Sequence, residues 1–174
     1  LMFFNKLGAT QLDRGPLCGG VRGAAYTSLF GGAPGMPPEQ ALESDLIFVW
    51  GNNATVSNLH FSRVVSKAQK KGCKLIVIDP KRIAIADRAD IYLQIKPGTD
   101  VVLAMAMAAE IERLGGLNQP FIDQWVEGAD VYLEQARVYT RDDVEQICGL
   151  PLEQFDQMIQ AYLAADCVAL SLGN

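Results

Sequence analysis

The sequence predicts an α/β fold: a doubly wound, mainly parallel sheet with helices on both faces. Three observations lead there. Short apolar runs recur without polar alternation, at Asp45–Trp50, Lys74–Ile78, Ile91–Ile95 and Val168–Leu172. Such runs suit strands covered on both faces. Segments of helical period separate them, and alternating strands and helices favour parallel connections. The runs also end in polar or glycine-bearing turns, at Gly51-Asn52-Asn53, Asp79-Pro80-Lys81-Arg82, Lys96-Pro97-Gly98-Thr99-Asp100 and Gly173-Asn174.

At 174 residues and 49% apolar, the chain can bury a substantial core as one domain or one large piece of a longer protein. Its formal charge is −5, with small basic groups at Lys67, Lys70 and Lys71 and at Lys81-Arg82. No basic stripe is present to follow a phosphate backbone, so nucleic acid is not the expected partner. No apolar stretch reaches the roughly 20 residues of a membrane span, so no direct membrane insertion is expected. The start, Leu1-Met2-Phe3-Phe4-Asn5-Lys6, has neither the basic region nor the long apolar region of a signal peptide. Both ends read as cuts within a longer polypeptide. Nothing in the sequence assigns a compartment. The cysteines, Cys18, Cys73, Cys148 and Cys167, form no C-x-x-C pair, so no zinc or iron–sulfur motif is legible. Cys73, Cys148 and Cys167 read as buried structural thiols.

The elements follow in order. Residues 13–38 form a long glycine- and proline-rich tract, loop-like, with interrupted helix possible between Val21 and Phe30. Such tracts within compact domains are usually functional or disordered, so an active-site loop and a flexible remnant are both open readings here. Pro37-Pro38 opens a short helix to Glu43. After the first strand, a helix from about Asn58 to Lys71 carries Phe61, Val64, Val65 and Ala68 on one face. Lysines in its last turn and Gly72 beyond it match the macrodipole and the C-cap, so the lysines need no partner. His60 reads as a surface residue of this helix. The second and third strands follow, then an apolar helix from Val101 to about Leu114, capped by Thr99 or Asp100. A short helix spans Gln119–Val126, residues 128–139 carry no clear pattern, and Thr140-Arg141-Asp142-Asp143 resembles a capped helix start. Helix 151–165 places Leu152, Phe155, Met158, Ile159 and Tyr162 on one core-facing stripe. The expected organisation is a loop segment, 1–44, leading into a single compact α/β domain, 45–174.

The turn residues carry the chemistry. A strand, a polar glycine turn and a helix make a phosphate cradle, because helix N-termini expose unpaired N–H groups. Gly51 permits close approach to the backbone, and Asn52 and Asn53 add amide donors and acceptors. Asp79 ends the second strand, where a carboxylate can accept hydrogen bonds from ribose hydroxyls. Asp100 falls at the same sheet edge. The G-x-G-x-x-G fingerprint is absent, which weakens a nicotinamide or flavin reading.

Taken together, Ser44-Asp45-Leu46-Ile47-Phe48-Val49-Trp50-Gly51-Asn52-Asn53, Ile78-Asp79-Pro80-Lys81-Arg82, Ala89-Asp90-Ile91-Tyr92-Leu93 and Lys96-Pro97-Gly98-Thr99-Asp100 resemble the molybdopterin oxidoreductase family of formate dehydrogenases, nitrate reductases and dimethyl sulfoxide reductases. The resemblance implies a Rossmann-like domain for one molybdopterin guanine dinucleotide of a molybdenum (or tungsten) bis(molybdopterin guanine dinucleotide) cofactor. It implies Gly51, Asn52 and Asn53 at the dinucleotide phosphates, and Asp79, Pro80, Lys81 and Arg82 by the guanosine ribose. It further implies Asp100, in the Gly98-Thr99-Asp100 turn, on the guanine edge. A carboxylate suits guanine, whose N1–H and exocyclic amine are adjacent donors. Members place the protein ligand to the metal some thirty residues before the first-strand glycine. Cys18, in Leu17-Cys18-Gly19-Gly20, stands there, and a deprotonated thiolate is a sensible ligand. The resemblance therefore implies Cys18 as catalytic metal ligand, a small-molecule substrate, an electron-transfer partner or subunit, and an iron–sulfur cluster in a preceding segment. The sequence departs from the family in lacking the His-Pro pair that often follows the Gly-x-Asn turn. Two alternatives stay open: a non-catalytic relative of the same fold, and an unrelated nucleotide-binding α/β domain.

Overall fold

The computed structural model describes residues 2–10 and 19–173. They fall into two compact units, one reaching Met36 and the other spanning Pro37–Gly173. In the first unit, α1 covers Met2–Lys6 and α2 covers Gly19–Phe30, and neither buries a side chain. The sequence suggested a loop with broken helix here. The structure instead has twelve continuous helical residues. Arg22, Ala24, Ala25 and Leu29 are good helix formers, which offsets the roughly 1 kcal/mol cost of Gly23.

The second unit opens with a 3-10 turn, Pro38–Glu43, with Pro37 as its cap. Strand β1 (Leu46–Trp50) follows, then α3 (Ala54–Ser57), α4 (Leu59–Lys70), β2 (Lys74–Ile78) and β3 (Ile91–Leu93). The remaining elements are α5 (Asp100–Arg113), α6 (Gln119–Trp125), α7 (Ala129–Ala136), α8 (Arg141–Asp143), α9 (Leu152–Leu163) and β4 (Val168–Leu172). The α8 segment runs directly into a π-helical turn, Val144–Cys148.

The sheet is four-stranded, in the order β3-β2-β1-β4, and every pairing is parallel. Alternate β1 and β2 side chains point to opposite faces. Ile47, Val49, Leu75 and Val77 meet Phe61, Val65 and Ala68 of α4 on one face. Leu46, Phe48, Ile76 and Ile78 meet Leu103 of α5 and Phe155, Met158 and Ile159 of α9 on the other. Helices therefore cover both faces, as the unalternating apolar runs predicted. The stripe on α9 is core as expected, centred on fully buried Phe155.

Three differences have physical causes. Strand β3 stops at Leu93 rather than Ile95 because β2, its only strand partner among the described residues, has run out at Ile78. Residues 128–139, without a legible pattern, contain α7. It starts from Gly128 in the left-handed region and buries only Ala136, so it has no apolar stripe to display. An Arg137–Glu112 ion pair at 2.5 Å ties its end to α5. Cys73 and Cys148 are buried, but Cys167 is exposed, against expectation. It lies where the chain enters the sheet, and its N–H donates to the Asp45 carboxylate at 3.0 Å. Burial, with Asp45 and Asp90 nearby, pushes the Cys73 thiol up to about 11.

Glu110 is the one buried acid of α5. It accepts from Arg113 at 2.7 and 2.8 Å and from Arg141 at 3.0 Å. Arg141 also pairs with Asp156 of α9, so the network joins α5, α8 and α9. The Arg113 hydrogen bonds hold the Glu110 carboxyl below its ordinary range.

Two outcomes are expected. Phe155→Ala removes a fully buried ring and should lower unfolding free energy by about 3–5 kcal/mol in urea titrations. Because the folded pKa of Glu110 is depressed, its contribution is present above the unfolded value and fades as pH falls through the folded one. Glu110→Gln should therefore cost about 1–2 kcal/mol at pH 7 and progressively less below pH ~4, read from urea midpoints against pH.

Candidate functional site

With all strands parallel, the four carboxyl ends share one edge. The strand order reverses at β1, which has β2 on one flank and β4 on the other. Crevices at such switch points are where open α/β sheets take ligands. The polar turns of the sequence all reach this edge.

Gly51 leaves β1 with φ +60, the left-handed region that favours glycine, and its N–H donates to Ile78 O at 2.8 Å. Asn52 donates through Nδ2 to the Ser171 hydroxyl of β4 at 2.7 Å. Asn53 accepts from the Thr55 hydroxyl at 2.9 Å, and its carbonyl from the Val56 and Ser57 N–H groups, each at 2.9 Å. The sequence joined this turn directly to the long helix. The structure interposes α3, because Asn58 sits at φ −145, ψ 68, outside helical geometry. Asn58 then caps α4 by accepting from Phe61 N at 3.1 Å. The N-terminus of α4 is thus separated from the glycine turn by one short helical turn. His60 is exposed on α4 and Lys67 and Lys70 sit in its last turn, as expected.

Across the β4 junction the backbones touch. Gly173 N donates to Trp50 O at 2.8 Å, and a Cβ at Gly173 would lie 1.8 Å from Gly51 O. Only glycine fits at that position.

Asp79 is buried and adjoins this turn across the β1–β2 pairing. One carboxylate oxygen accepts from Lys81 N at 2.8 Å. The other has no hydrogen-bond partner among the described residues. Tyr92 donates to the Asp79 carbonyl at 3.1 Å and Gln94 to the Pro80 carbonyl at 2.9 Å, so β3 braces the whole turn. Lys81 is exposed; Arg82 lies over the Tyr92 ring at 5.5 Å and pairs with Asp87 at 2.9 Å. Burial and the nearby Asp79 charge raise the Tyr92 hydroxyl above its usual value.

The third turn has Gly98 at φ +80. Thr99 takes the N-cap position of α5, yet its hydroxyl donates to Lys96 O at 2.7 Å and caps nothing. Asp100 is no cap either, since its carboxylate accepts from the Trp50 indole N–H at 2.7 Å. The cap expectation is corrected on both residues: this loop's polar groups bond backward and sideways rather than onto the helix start.

The structure thus groups Gly51, Asn52 and Asn53 with Asp79 and its turn, and links Asp100 to that edge through Trp50. Cys18 lies outside the described residues. Trp50, Ser171, Tyr92 and Gln94 were not anticipated. Their bonds span up to 119 residues of sequence and leave no local signal. A separate recess, lined by Glu110, Glu112, Arg113, Arg137 and Arg141, is taken up by its own ion pairs.

A family model described as molybdopterin oxidoreductase matches residues 27–120, more than half the chain. The chain belongs to the molybdopterin oxidoreductase family. It is 28% identical over 172 residues to a probable oxidoreductase, YoaE, of Bacillus subtilis, covering 99% of this chain and 25% of that protein. It is 35% identical to the F420-dependent formate dehydrogenase subunit alpha of Methanocaldococcus jannaschii, over 68% of this chain and 18% of that one. Among solved structures, acetylene hydratase from Pelobacter acetylenicus superposes with a TM-score of 0.65 at 28% identity, over 75% of this chain and 18% of its own. The chain therefore spans a quarter or less of the length of these relatives. Membership of the molybdopterin family implies a molybdenum or tungsten pterin cofactor, and the family's fold agrees with the all-parallel α/β architecture seen here. No described helix is long and apolar enough to cross a membrane.

Gly173→Ala tests the contact at the switch point. The added methyl must push β4 away from Gly51, with an expected loss of about 1–3 kcal/mol in urea unfolding.

Proposed function

We propose that this sheet edge holds one guanine dinucleotide arm of a molybdenum (or tungsten) bis(molybdopterin guanine dinucleotide) cofactor. The chain would serve a two-electron oxidoreductase acting on a small substrate. The observation that carries the reading is the buried Asp79 carboxylate, with one oxygen committed to its own turn and the other unpartnered at the edge beside Gly51. That free oxygen is not among the buried unpartnered atoms of the described residues, so it is accessible at the edge, where a carboxylate can accept from ribose hydroxyls.

The other residues fit the same ligand. Gly51 and Gly98 hold left-handed turns with open space where a side chain would stand, which permits close approach to the backbone there. Asn52 and Asn53 would bind phosphate oxygens beside them. Pro80 fixes the turn in which Lys81 and Arg82 supply positive charge near the ribose and phosphates. Thr99 shapes the Gly98-Thr99-Asp100 turn, and Asp100 would accept from the guanine N1–H and exocyclic amine. Cys18, upstream of β1, would ligate the metal as a thiolate. When bound, the metal centre supplies the two-electron step, moving an oxo group or a hydride equivalent. This chain's own residues orient the cofactor and keep it in place. A solved structure with this fold is named acetylene hydratase, so the fold alone does not fix the reaction. An electron-transfer partner or subunit would accept or deliver the electrons, and an iron–sulfur cluster in a preceding segment would connect them.

The test is elemental and pterin analysis of the natural polypeptide carrying this sequence, with molybdenum-edge X-ray absorption on it and on Cys18→Ser. The reading expects molybdenum or tungsten, a guanine-bearing pterin, and one sulfur neighbour fewer in the variant. An unchanged sulfur count would reject Cys18 as ligand. A well-folded protein with neither metal nor pterin would reject the function.

A further inference from the structure

We infer that Trp50 is a positioning residue for base recognition: its indole N–H fixes the Asp100 carboxylate so that both oxygens meet a guanine edge. The inference rests on the reading of Asp100 given above and extends it to a residue on another strand.

Two sets of contacts support it. The backbone of the loop leading to Asp100 is pinned from behind. Lys96 N donates to Cys148 O at 2.9 Å, Lys96 Nζ to Gln146 O at 3.0 Å, and the buried Cys148 thiol lies 3.6 Å from Thr99 O. The π-helical turn Val144–Cys148 is thus a rigid backstop for residues 96–99, and π turns recur at functional sites. That arrangement sets where Asp100 begins and leaves its side-chain rotation free. Trp50 supplies the missing constraint. Its ring is half-buried against the core of the α5–α9 face, so the indole is held, and its N–H donates to Asp100 Oδ1 at 2.7 Å.

The chemistry of the pair favours positioning over competition. An ionised carboxylate offers about four acceptor sites on two oxygens, and an indole fills one. Both oxygens can still accept from paired N–H donors on a base. Asp100 is exposed, so without the indole its carboxylate would sample several rotamers in water, and a ligand would have to order it. The preorganised state should bind guanine, which presents two adjacent donors, better than hypoxanthine, which presents one.

The experiment compares GDP and inosine diphosphate binding by calorimetry to the 174-residue chain and to its Trp50→Phe and Asp100→Ala variants, with urea midpoints as a folding control. Trp50→Phe keeps an aromatic ring and removes the donor. The wild-type chain should prefer GDP by on the order of tenfold, the worth of one charge-assisted hydrogen bond. Both variants should lose most of that preference; Trp50→Phe should leave inosine diphosphate affinity within about twofold of wild type, whereas Asp100→Ala should weaken it as well, because the N1–H contact goes with the carboxylate. A tie that merely fastens α5 to β1 would change the urea midpoint and leave the ratio intact. A Trp50→Phe variant that keeps the preference while Asp100→Ala loses it overturns the role of Trp50 and leaves Asp100 standing. No GDP preference in the wild-type chain, or no GDP binding, overturns the base-recognition reading and the positioning role with it. As a ligand-free check, the Trp50 indole N–H proton resonance should move upfield in Asp100→Ala while that of exposed Trp125 stays put. An unmoved Trp50 resonance also overturns the proposal.

Discussion

Strand β1 is the constraint on which the rest depends. It is paired on both edges and covered on both faces, so four of its five side chains are buried. A strand in that position tolerates no polar side chain and no slip, because a one-residue shift would exchange its two faces. Parallel pairing with β2 and β4 then brings every carboxyl end to one edge. The polar residues that the apolar strands exclude collect there. The binding edge is therefore a consequence of the core rather than an addition to it.

The crowding at that edge is also where the fold is least forgiving. Gly51 turns out of β1 in a conformation that favours glycine, and Gly173 passes so close that a methyl group would overlap its carbonyl. Asn52 and Ser171 bridge the same gap. Behind the edge, Tyr92 and Gln94 hold the Asp79-Pro80 turn by its carbonyls, leaving the carboxylate outward. The Asp79-Pro80 turn is thus supported from the neighbouring chain segment, and one Asp79 carboxylate oxygen is left available.

Charge is handled differently on the α5–α9 face. Glu110 is buried there only because two arginines reach it, and Arg141 in turn engages Asp156. Across the sheet, Arg88 does a related job without a carboxylate, donating to the Ser62 carbonyl and hydroxyl at 3.0 and 3.1 Å and to the Ser66 hydroxyl. The Glu110 charge is thus satisfied between helices, well away from the strand ends that carry the proposed ligand, whereas Arg88 keeps its Nε buried without a partner.

The sequence by itself determined the strands, their parallel class, the face of α4 and the turns bearing Gly51, Asp79 and Asp100. Each of these follows from local periodicity or from the backbone demands of a single residue. It also carried enough of the family's pattern to name the molybdopterin group. It did not reveal α7, which has no stripe to read, nor the interposed α3, nor the exposure of Cys167. It assigned Thr99 and Asp100 a capping role that is the commonest use of such residues. The structure decided otherwise: Thr99 bonds Lys96 within its own turn, and Asp100 takes Trp50, a partner chosen by packing. The indole of Trp50 and the carboxylate of Asp100 lie fifty residues apart in the chain and 2.7 Å apart in space. No local pattern encodes that meeting: it exists because β1 and the start of α5 are packed against the same core, whose geometry is a property of the whole fold.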